Sequence, residues 1–220
     1  MIEPFYLIVA LFPLIAYLMV LGLIRVSGRV LITSGGRDIA ALGFAISGLI
    51  AVGPGELFFP KAAAGTFGAW VWLALLSFYS LIVCLAGLLS RPRIVVFGRD
   101  PAAMLEPLYQ AALQIDPQAT CDRKLGQVAL PSKSIMLRPA GSTQKDSTTI
   151  ESFRPVLSFE FWDALLGHLR NTTQQSDAPK PRQGFGMLIT ASVLASWCLW
   201  TSFQNQQEIL DQFQQWIWRQ

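Results

Sequence analysis

The sequence predicts a polytopic α-helical membrane protein with four transmembrane helices and a small cytoplasmic α+β domain inserted between helices 3 and 4. Of the 220 residues, 52% are hydrophobic and only 14% are charged, which is typical of membrane proteins. The apolar residues form four uncharged runs, close to the roughly 20 residues that a helix needs to cross a bilayer. Between the third and fourth runs they fall into short alternating groups, the pattern of strands and amphipathic helices.

Composition excludes several classes of function. The formal net charge of +3 is too small to indicate binding to nucleic acid. Cys84, Cys121 and Cys198 form no CxxC pair, so the sequence predicts neither a disulfide framework nor a zinc site. The N-terminal residues Met-Ile-Glu-Pro-Phe lack the basic region of a signal peptide, and we expect the first apolar run to be retained as a span.

Residues 1–90 are predicted to hold three transmembrane helices, at about 4–24, 39–55 and 70–90. We expect Asp38 to cap the second of them, because an Asp side chain accepts hydrogen bonds from the free amides of a first helical turn. The second run is only marginally long and ends in a Gly-Pro-Gly breaker. A re-entrant segment is therefore the alternative to a full second span.

Five arginines flank these runs and are predicted to set the topology or to contact lipid headgroups: Arg25, Arg29, Arg37, Arg91 and Arg93. Arginine-rich loops stay in the cytoplasm, and Trp70 and Trp72 gather on the opposite predicted side. Both signals predict a multi-pass protein of the plasma (inner) membrane, with the N-terminus and C-terminus outside and the 91–183 domain cytoplasmic. The connection at 25–38 is expected to be a cytoplasmic loop.

Small residues recur at every fourth position of the second run, at Gly43, Ser47 and Ala51. In a helix they share one face, and small side chains let a neighbouring helix approach closely. We expect this face to serve in helix packing.

The 91–170 segment is predicted to be the cytoplasmic α+β domain, with the element order β-α-β-β-β-α. Asp100 and Pro101 form a typical N-cap and first-turn pair, which predicts a helix after a strand at 93–98. Three more strands, the first two forming a hairpin, and a second amphipathic helix are expected at 120–130, 134–138, 148–153 and 158–170.

The rest of the chain is predicted to form a flexible linker at 171–183, the fourth transmembrane helix at 184–203 and an external amphipathic helix at 204–220. The apolar residues of this last helix are expected either to dock on another helix or to lie at the membrane interface: Leu210, Phe213, Trp216, Ile217 and Trp218. Its polar face holds few charges, which favours docking over electrostatic attraction to lipid.

No pattern of catalytic, cofactor-binding or metal-binding residues is found. Gly-Arg-Asp precedes two predicted helices, at 36–38 and 98–100, but an Asp cap would occupy the amides that an anion needs. His168 is the only histidine, which excludes a two-histidine metal or haem site built from this chain alone. Glu56 follows Pro-Gly and is interpreted as a residue of an external turn.

These features predict a non-catalytic integral membrane scaffold, assembly or accessory subunit of a membrane protein complex. Its cytoplasmic domain and C-terminal amphipathic helix are expected to contact other proteins. The expected partners are the lipid bilayer and other membrane proteins or a second copy of the chain, with no nucleic acid and no cofactor. The alternative is a sensor or gating subunit whose cytoplasmic domain binds a ligand and moves transmembrane helix 3, because no linker separates the two.

Overall fold

The computed structural model describes residues 3–53, 68, 70–141, 147–153, 158–174 and 184–218. Two compact units make up the chain. The helical unit consists of Met1–Leu21, Ile39–Leu88 and Gly186–Gln220, and the sheet unit consists of Gly22–Asp38 and Leu89–Phe185. Neither unit is one continuous stretch of sequence.

Four helices are long and apolar enough to cross a membrane, as predicted: α1 (Pro4–Val26), α2 (Gly35–Val52), α3 (Trp70–Leu89) and α6 (Gly184–Gln204). At most 22% of the residues in each apolar stretch are buried inside the protein, so most of these side chains remain for the hydrocarbon of a bilayer. The other α-helices of the described residues are α4 (Pro101–Ile115), α5 (Phe159–Gln174) and α7 (Gln206–Trp218), and a short 3-10 helix lies at Pro131–Lys133.

The start of α2 differs from the prediction. The helix begins at Gly35 rather than after Asp38, and its cap is Ser34, whose Oγ accepts a hydrogen bond from the Arg37 amide at 3.4 Å. The predicted cap at Asp38 is therefore wrong. Asp38 lies inside the first turn, where a carboxylate is favoured by the positive end of the helix dipole.

The sheet has six strands: β1 (Leu31–Ser34), β2 (Ile94–Phe97), β3 (Thr120–Asp122), β4 (Gln127–Leu130), β5 (Ile135–Ala140) and β6 (Ser147–Ser152). Every pair is antiparallel, and the strand order is β1-β2-β6-β5-β4-β3. The predicted order β-α-β-β-β-α is thus incomplete in two places.

The first missing strand is β1, which lies in the connection that was expected to be a loop. Ile32 of β1 pairs with Val96 of β2 and is only 4% exposed. The apolar run at 30–32 is short and is followed by Thr-Ser and a Gly-Gly pair, which predicts a loop locally, but pairing with a distant strand supplies the hydrogen bonds of β1. The sheet unit is therefore not simply inserted between α3 and α6.

The second missing strand comes from the single strand predicted at 120–130, which is two strands joined by a turn. Asp122 Oδ1 accepts hydrogen bonds from the amides of Lys124 and Leu125 at 2.9 and 3.1 Å, which forms an Asx turn. Gly126 follows with a positive φ of 62° that a residue with a side chain rarely adopts. Asp-Arg-Lys-Leu-Gly was a turn signal that the strand prediction overlooked.

α4 and α5 cover one face of the sheet and complete the core. Asp100 caps α4 as predicted, because its Oδ1 accepts a hydrogen bond from the Ala103 amide at 2.7 Å. The largest fully buried apolar side chains come from both layers: Ile94, Met104, Leu108, Leu130, Leu137, Ile150, Leu165 and Leu169.

The end of α5 corrects the predicted linker at 171–183, since the helix continues to Gln174. The hydroxyl of Thr173 donates to the Leu169 carbonyl at 2.5 Å, and Thr173 is only 3% exposed. This hydrogen bond within the helix means that the buried hydroxyl is not left unsatisfied. Residues 175–183 lie outside the described part of the chain.

Asp116 closes α4 and holds the turn between β4 and β5. Its Oδ1 accepts hydrogen bonds from the Gln118 amide at 3.0 Å and the Ser132 hydroxyl at 2.9 Å, and its Oδ2 accepts from the Ser132 amide at 3.0 Å. Burial of the carboxyl raises its pKa, but these hydrogen bonds and the charge of Lys133 outweigh burial, so the pKa lies below its usual value.

In the helical unit, α2 approaches α1 at Gly48. A Cβ on Gly48 would lie 2.1 Å from the Val9 carbonyl oxygen and 2.8 Å from that of Ala10. Pro13 has no amide hydrogen, so it leaves the Val9 carbonyl without its helical donor. Because Gly48 has no side chain, the backbones of α1 and α2 can approach each other closely at the Val9 carbonyl, which has no donor within its own helix.

We expect Asp116→Asn to lower the melting temperature of the full-length protein at pH 7, because one acceptor oxygen is replaced by a donor. Since the folded-state pKa is depressed, the wild-type carboxylate stabilises the fold above its unfolded pKa of about 4 and loses this effect as the pH falls through the folded value. Thermal melts in detergent at pH 7 and pH 3 should show the two proteins converging in acid. Asp163→Asn, at an exposed position, is the control and should follow the wild type.

Gly48→Ala should destabilise the helical unit by about 3 kcal/mol, the upper end of the range for overpacking, because the new methyl group meets backbone atoms that cannot rotate away. Detergent unfolding of the purified protein measures the change. The matched control is Ser47→Ala at the preceding position, where the hydroxyl bonds only to the Phe44 carbonyl of its own helix. Equal tolerance of both substitutions would contradict this close approach of α1 and α2.

Candidate functional site

Two neighbouring strands of the sheet unit, β1 and β2, connect directly to the ends of three apolar helices. Only residues 27–30 separate α1 from β1, no residue separates β1 from α2, and residues 90–93 separate α3 from β2. We call residues 22–38 together with 89–100 the junction.

Hydrogen bonds hold the two halves of the junction together. β1 pairs with β2 along its whole length, from Leu31 opposite Phe97 to Ser34 opposite Ile94. The Gly35 amide extends this pairing by donating to the Arg93 carbonyl at 2.8 Å. β1, β2 and the first residue of α2 therefore belong to one hydrogen-bonded ladder.

The junction is strongly positive, with six arginines and two aspartates in its sequence. Of the five arginines predicted to contact headgroups, Arg29, Arg37 and Arg91 are exposed, Arg93 is half-buried and Arg25 is buried. A surface of this charge attracts anions, including anionic lipid.

Arg93 lies across the first turn of α2. A Cβ on Gly35 would lie 2.6 Å from Arg93 Cγ and 3.1 Å from Arg93 Nε, so only glycine fits beneath this side chain. Its buried Nε has no hydrogen-bond partner. The sequence prediction named Arg93 but not Gly35, and the Gly-Gly pair after a short apolar run was the available signal.

Arg25 lies in the last turn of α1, with its Cζ 5.5 Å from the centre of the Phe97 ring. Its stem packs on Gly184, where a Cβ would lie 2.9 Å from Arg25 Cβ. Only 6% of its surface is exposed, and its buried Nε has no hydrogen-bond partner.

Two further arginines of the sheet unit were not predicted as site residues. Arg170 of α5 donates from Nη2 to the Ile32 carbonyl at 3.0 Å, which occupies an acceptor on the edge strand β1. Arg99 is 5% exposed, and its carbonyl accepts a hydrogen bond from the Thr148 hydroxyl at 2.8 Å. Burial lowers the pKa of Arg99, and the charge of Asp100 opposes that effect.

The small residues of α2 divide between a helix contact and an apolar cleft. Gly43 lies against α3, where a Cβ would be 2.8 Å from Val83 Cγ1, and its carbonyl accepts a hydrogen bond from the Tyr79 hydroxyl at 2.5 Å. Ser47 and Ala51 instead line a cleft of about 500 Å³ between α1, α2 and α3. Its other walls are apolar, including Ile8, Phe12, Pro13, Trp72 and Leu76.

The C-terminal helix α7 contacts the beginning of α1. The rings of Phe213 and Phe5 meet edge to face with centroids 5.8 Å apart, and Gln212 Oε1 accepts a hydrogen bond from the Phe5 amide at 3.2 Å. Because the first amides of a helix lack internal acceptors, Gln212 caps α1. Leu210 remains 63% exposed. Trp216, Ile217 and Trp218 belong to α7, and only their backbone is described.

The remaining chemical candidates stay apart. Among the described residues, no three His, Cys, Asp or Glu side chains come together in a way that could hold a metal ion. Cys84, Cys121 and Cys198 are free thiols, and His168 is half-buried on α5. Glu56 lies outside the described residues.

Comparison with known proteins adds no relative from which a function could be transferred. No family model matches the chain, and neither a curated protein nor a solved structure matches it.

Proposed function

We propose that the chain is a non-catalytic integral membrane protein that acts as a scaffold, assembly or accessory subunit of a larger membrane complex. The observation that carries this proposal is a partly apolar, uncovered half of the sheet in the sheet unit. α4 and α5 cover the opposite face, so this surface is available to another protein.

On the face of the sheet opposite α4 and α5, some side chains are buried and others are exposed, depending on the strand. On β2, Val95 is only 6% exposed and Phe97 lies beneath Arg25. On the two middle strands, Met136 of β5 is 44% exposed, and Phe153, which directly follows β6, is 58% exposed. The Phe153 amide donates to the Met136 carbonyl at 3.2 Å, so the two apolar side chains belong to one surface. We call Met136 and Phe153 the open patch.

The proposed partner is a protein rather than a small molecule. The open patch consists of two exposed side chains on the face of a sheet, whereas small ligands bind in concave pockets. Exposed Met and Phe side chains are frequent anchors at protein interfaces.

The proposed topology places the N-terminus, the C-terminus and α7 outside and the sheet unit in the cytoplasm of an inner-membrane protein. The excess of arginine in the junction supports this orientation. Pairing of β1 with β2 requires the chain to emerge from α1 and α3 on the same side, and the contact of Phe213 with Phe5 requires α7 to lie on the side where α1 begins. A chain that starts outside and crosses the membrane four times in alternating directions satisfies both conditions.

The function is tested by purifying the full-length protein from native membranes in a mild detergent. A defined polypeptide should copurify in a constant ratio with the wild type and be lost from the double variant Met136→Lys, Phe153→Lys. The control is Leu125→Lys, which places the same charge on a side chain that is 62% exposed in the β3–β4 turn. Retention of every copurifying protein by the double variant, or loss from the control as well, would contradict the proposal.

The alternative of a sensor or gating subunit is supported by the junction, because three helix ends share one pair of strands. A spin label at Leu88 of α3, a position that is 83% exposed, reports the mobility of this helix end. In a gating subunit, the copurifying partner changes the spectrum, and four Gly/Ser residues inserted after Ser90 abolish the change. In a scaffold, the partner binds and the spectrum stays the same.

The topology is tested with cysteines introduced at two exposed positions, Leu125 in the sheet unit and Gln214 in α7. A membrane-impermeant thiol reagent should label Gln214→Cys in intact cells and Leu125→Cys only after permeabilisation. Native Cys121 is a poor reporter, because burial raises the pKa of its thiol and the nearby Glu106 adds to this effect. Labelling of Leu125→Cys before permeabilisation would reverse the proposed orientation.

A further inference from the structure

Arg25 is a largely buried cation that has no counter-charge among the described residues. Its Nε is enclosed by protein without a hydrogen-bond partner, and Arg25 forms no ion pair among the described residues. Enclosing a charge in this way is strongly unfavourable unless another charge compensates it.

The end of α1 does not use the Arg25 guanidinium as its cap. The Ser27 amide donates to the Leu23 carbonyl at 2.9 Å, and the Ser27 hydroxyl donates to the Ile24 carbonyl at 2.7 Å. The Gly28 amide donates to the Arg25 carbonyl at 3.3 Å. Three of the last four carbonyls of the helix therefore have donors other than the guanidinium, whose own donors remain for another acceptor.

Phe97 orients the guanidinium but does not neutralise it. The ring lies 5.5 Å from Arg25 Cζ, which is within the range of a cation–π contact. Such a contact is weaker than the penalty for burying an uncompensated charge. A guanidinium held against a ring has less freedom to move, which preorganises its N–H fork for an oxyanion.

The position of Arg25 along the chain identifies the anion. The uncharged run of α1 ends at Ile24, so Arg25 follows at the boundary between hydrocarbon and headgroups. Phosphate is the anion found at that depth, and arginine binds it through two parallel N–H···O bonds. The arginine excess of the junction raises the local concentration of such anions.

We infer that Arg25 binds a phosphate group at the end of α1, either the phosphodiester of a membrane phospholipid or a soluble phosphate. Phe97 supports the guanidinium from one side, and the phosphate supplies the missing negative charge. This site is independent of the proposed role in a complex, because it needs no protein partner.

The test uses the full-length protein in dodecyl maltoside, a detergent without phosphate, in a Tris buffer. Melting temperatures are measured alone, with added phosphatidylglycerol and with added inorganic phosphate. The variant Arg25→Met keeps the apolar stem and removes the charge. Its matched control is Arg29→Met, which removes one charge from the same connection at an exposed position.

Without phosphate, Arg25→Met should melt at or above the wild-type temperature, because an uncompensated buried charge has been removed. Phosphatidylglycerol should raise the melting temperature of the wild type and of Arg29→Met but not that of Arg25→Met. Native mass spectrometry should show about tenfold less retained phosphatidylglycerol on Arg25→Met, the change expected for one charged contact. If inorganic phosphate alone reproduces these differences, the source is a soluble phosphate rather than a lipid.

Two results would overturn the site. If Arg25→Met lowers the melting temperature equally under all three conditions, Arg25 only stabilises the fold. If Arg29→Met loses the response to anions to the same extent, the response reflects general surface charge. If Arg25→Met does not fold, Arg25→Lys takes its place in the test, because lysine keeps the positive charge but lacks the paired N–H donors of arginine. A wild-type response of Arg25→Lys would then contradict bidentate binding.

Discussion

The pairing of β1 with β2 is the constraint on which the sheet unit depends. These strands leave different apolar helices through short connections, so the sheet assembles only when the chain before α2 and the chain after α3 come together. The closure of such a long loop is unfavourable by itself, and the buried contact of Ile32 with its neighbours offsets that entropy. A fragment that starts at residue 91 would lack β1 and expose one side of β2. The unit therefore requires both of its chain segments.

The edges of this sheet bear on how it contacts other proteins. β1 is one edge, and Arg170 occupies the carbonyl of Ile32 there. β3 is the other edge and contains only three residues, Thr120–Asp122. A short strand and an occupied carbonyl both disfavour the addition of a strand from another chain. Under the proposed function, side-chain contact through the open patch is then the more favourable way for the sheet unit to bind its partner.

The sequence was sufficient to predict features that depend on the length of an apolar run or on residues adjacent in the chain. It was insufficient to predict features that depend on contacts between residues far apart in the chain. The four apolar helices follow from the thickness of hydrocarbon, and the cap at Asp100 follows from the geometry of one helical turn. β1 has no comparable local signal, because its partner strand lies more than 60 residues later in the chain. The burial of Arg25 was likewise not predictable, since charge pattern gives a position along the helix but not the identity of the ring or helix packed beside it. Among the small residues, only the fold shows that Gly48 makes the close approach to α1.

Three glycines show how α2 is held and bear on whether it spans the membrane. Gly35 lies under Arg93, Gly43 against α3 and Gly48 against α1. At about 100° per residue these positions point in different directions around the helix. Glycine in a helix costs about 1 kcal/mol relative to alanine, so three close approaches must offset that cost by packing. The helix is continuous over 18 residues, from Gly35 to Val52, which corresponds to roughly 27 Å and nearly matches the hydrocarbon thickness of about 30 Å. A re-entrant segment would turn back before that length, so an unbroken helix packed against both α1 and α3 favours a complete second span.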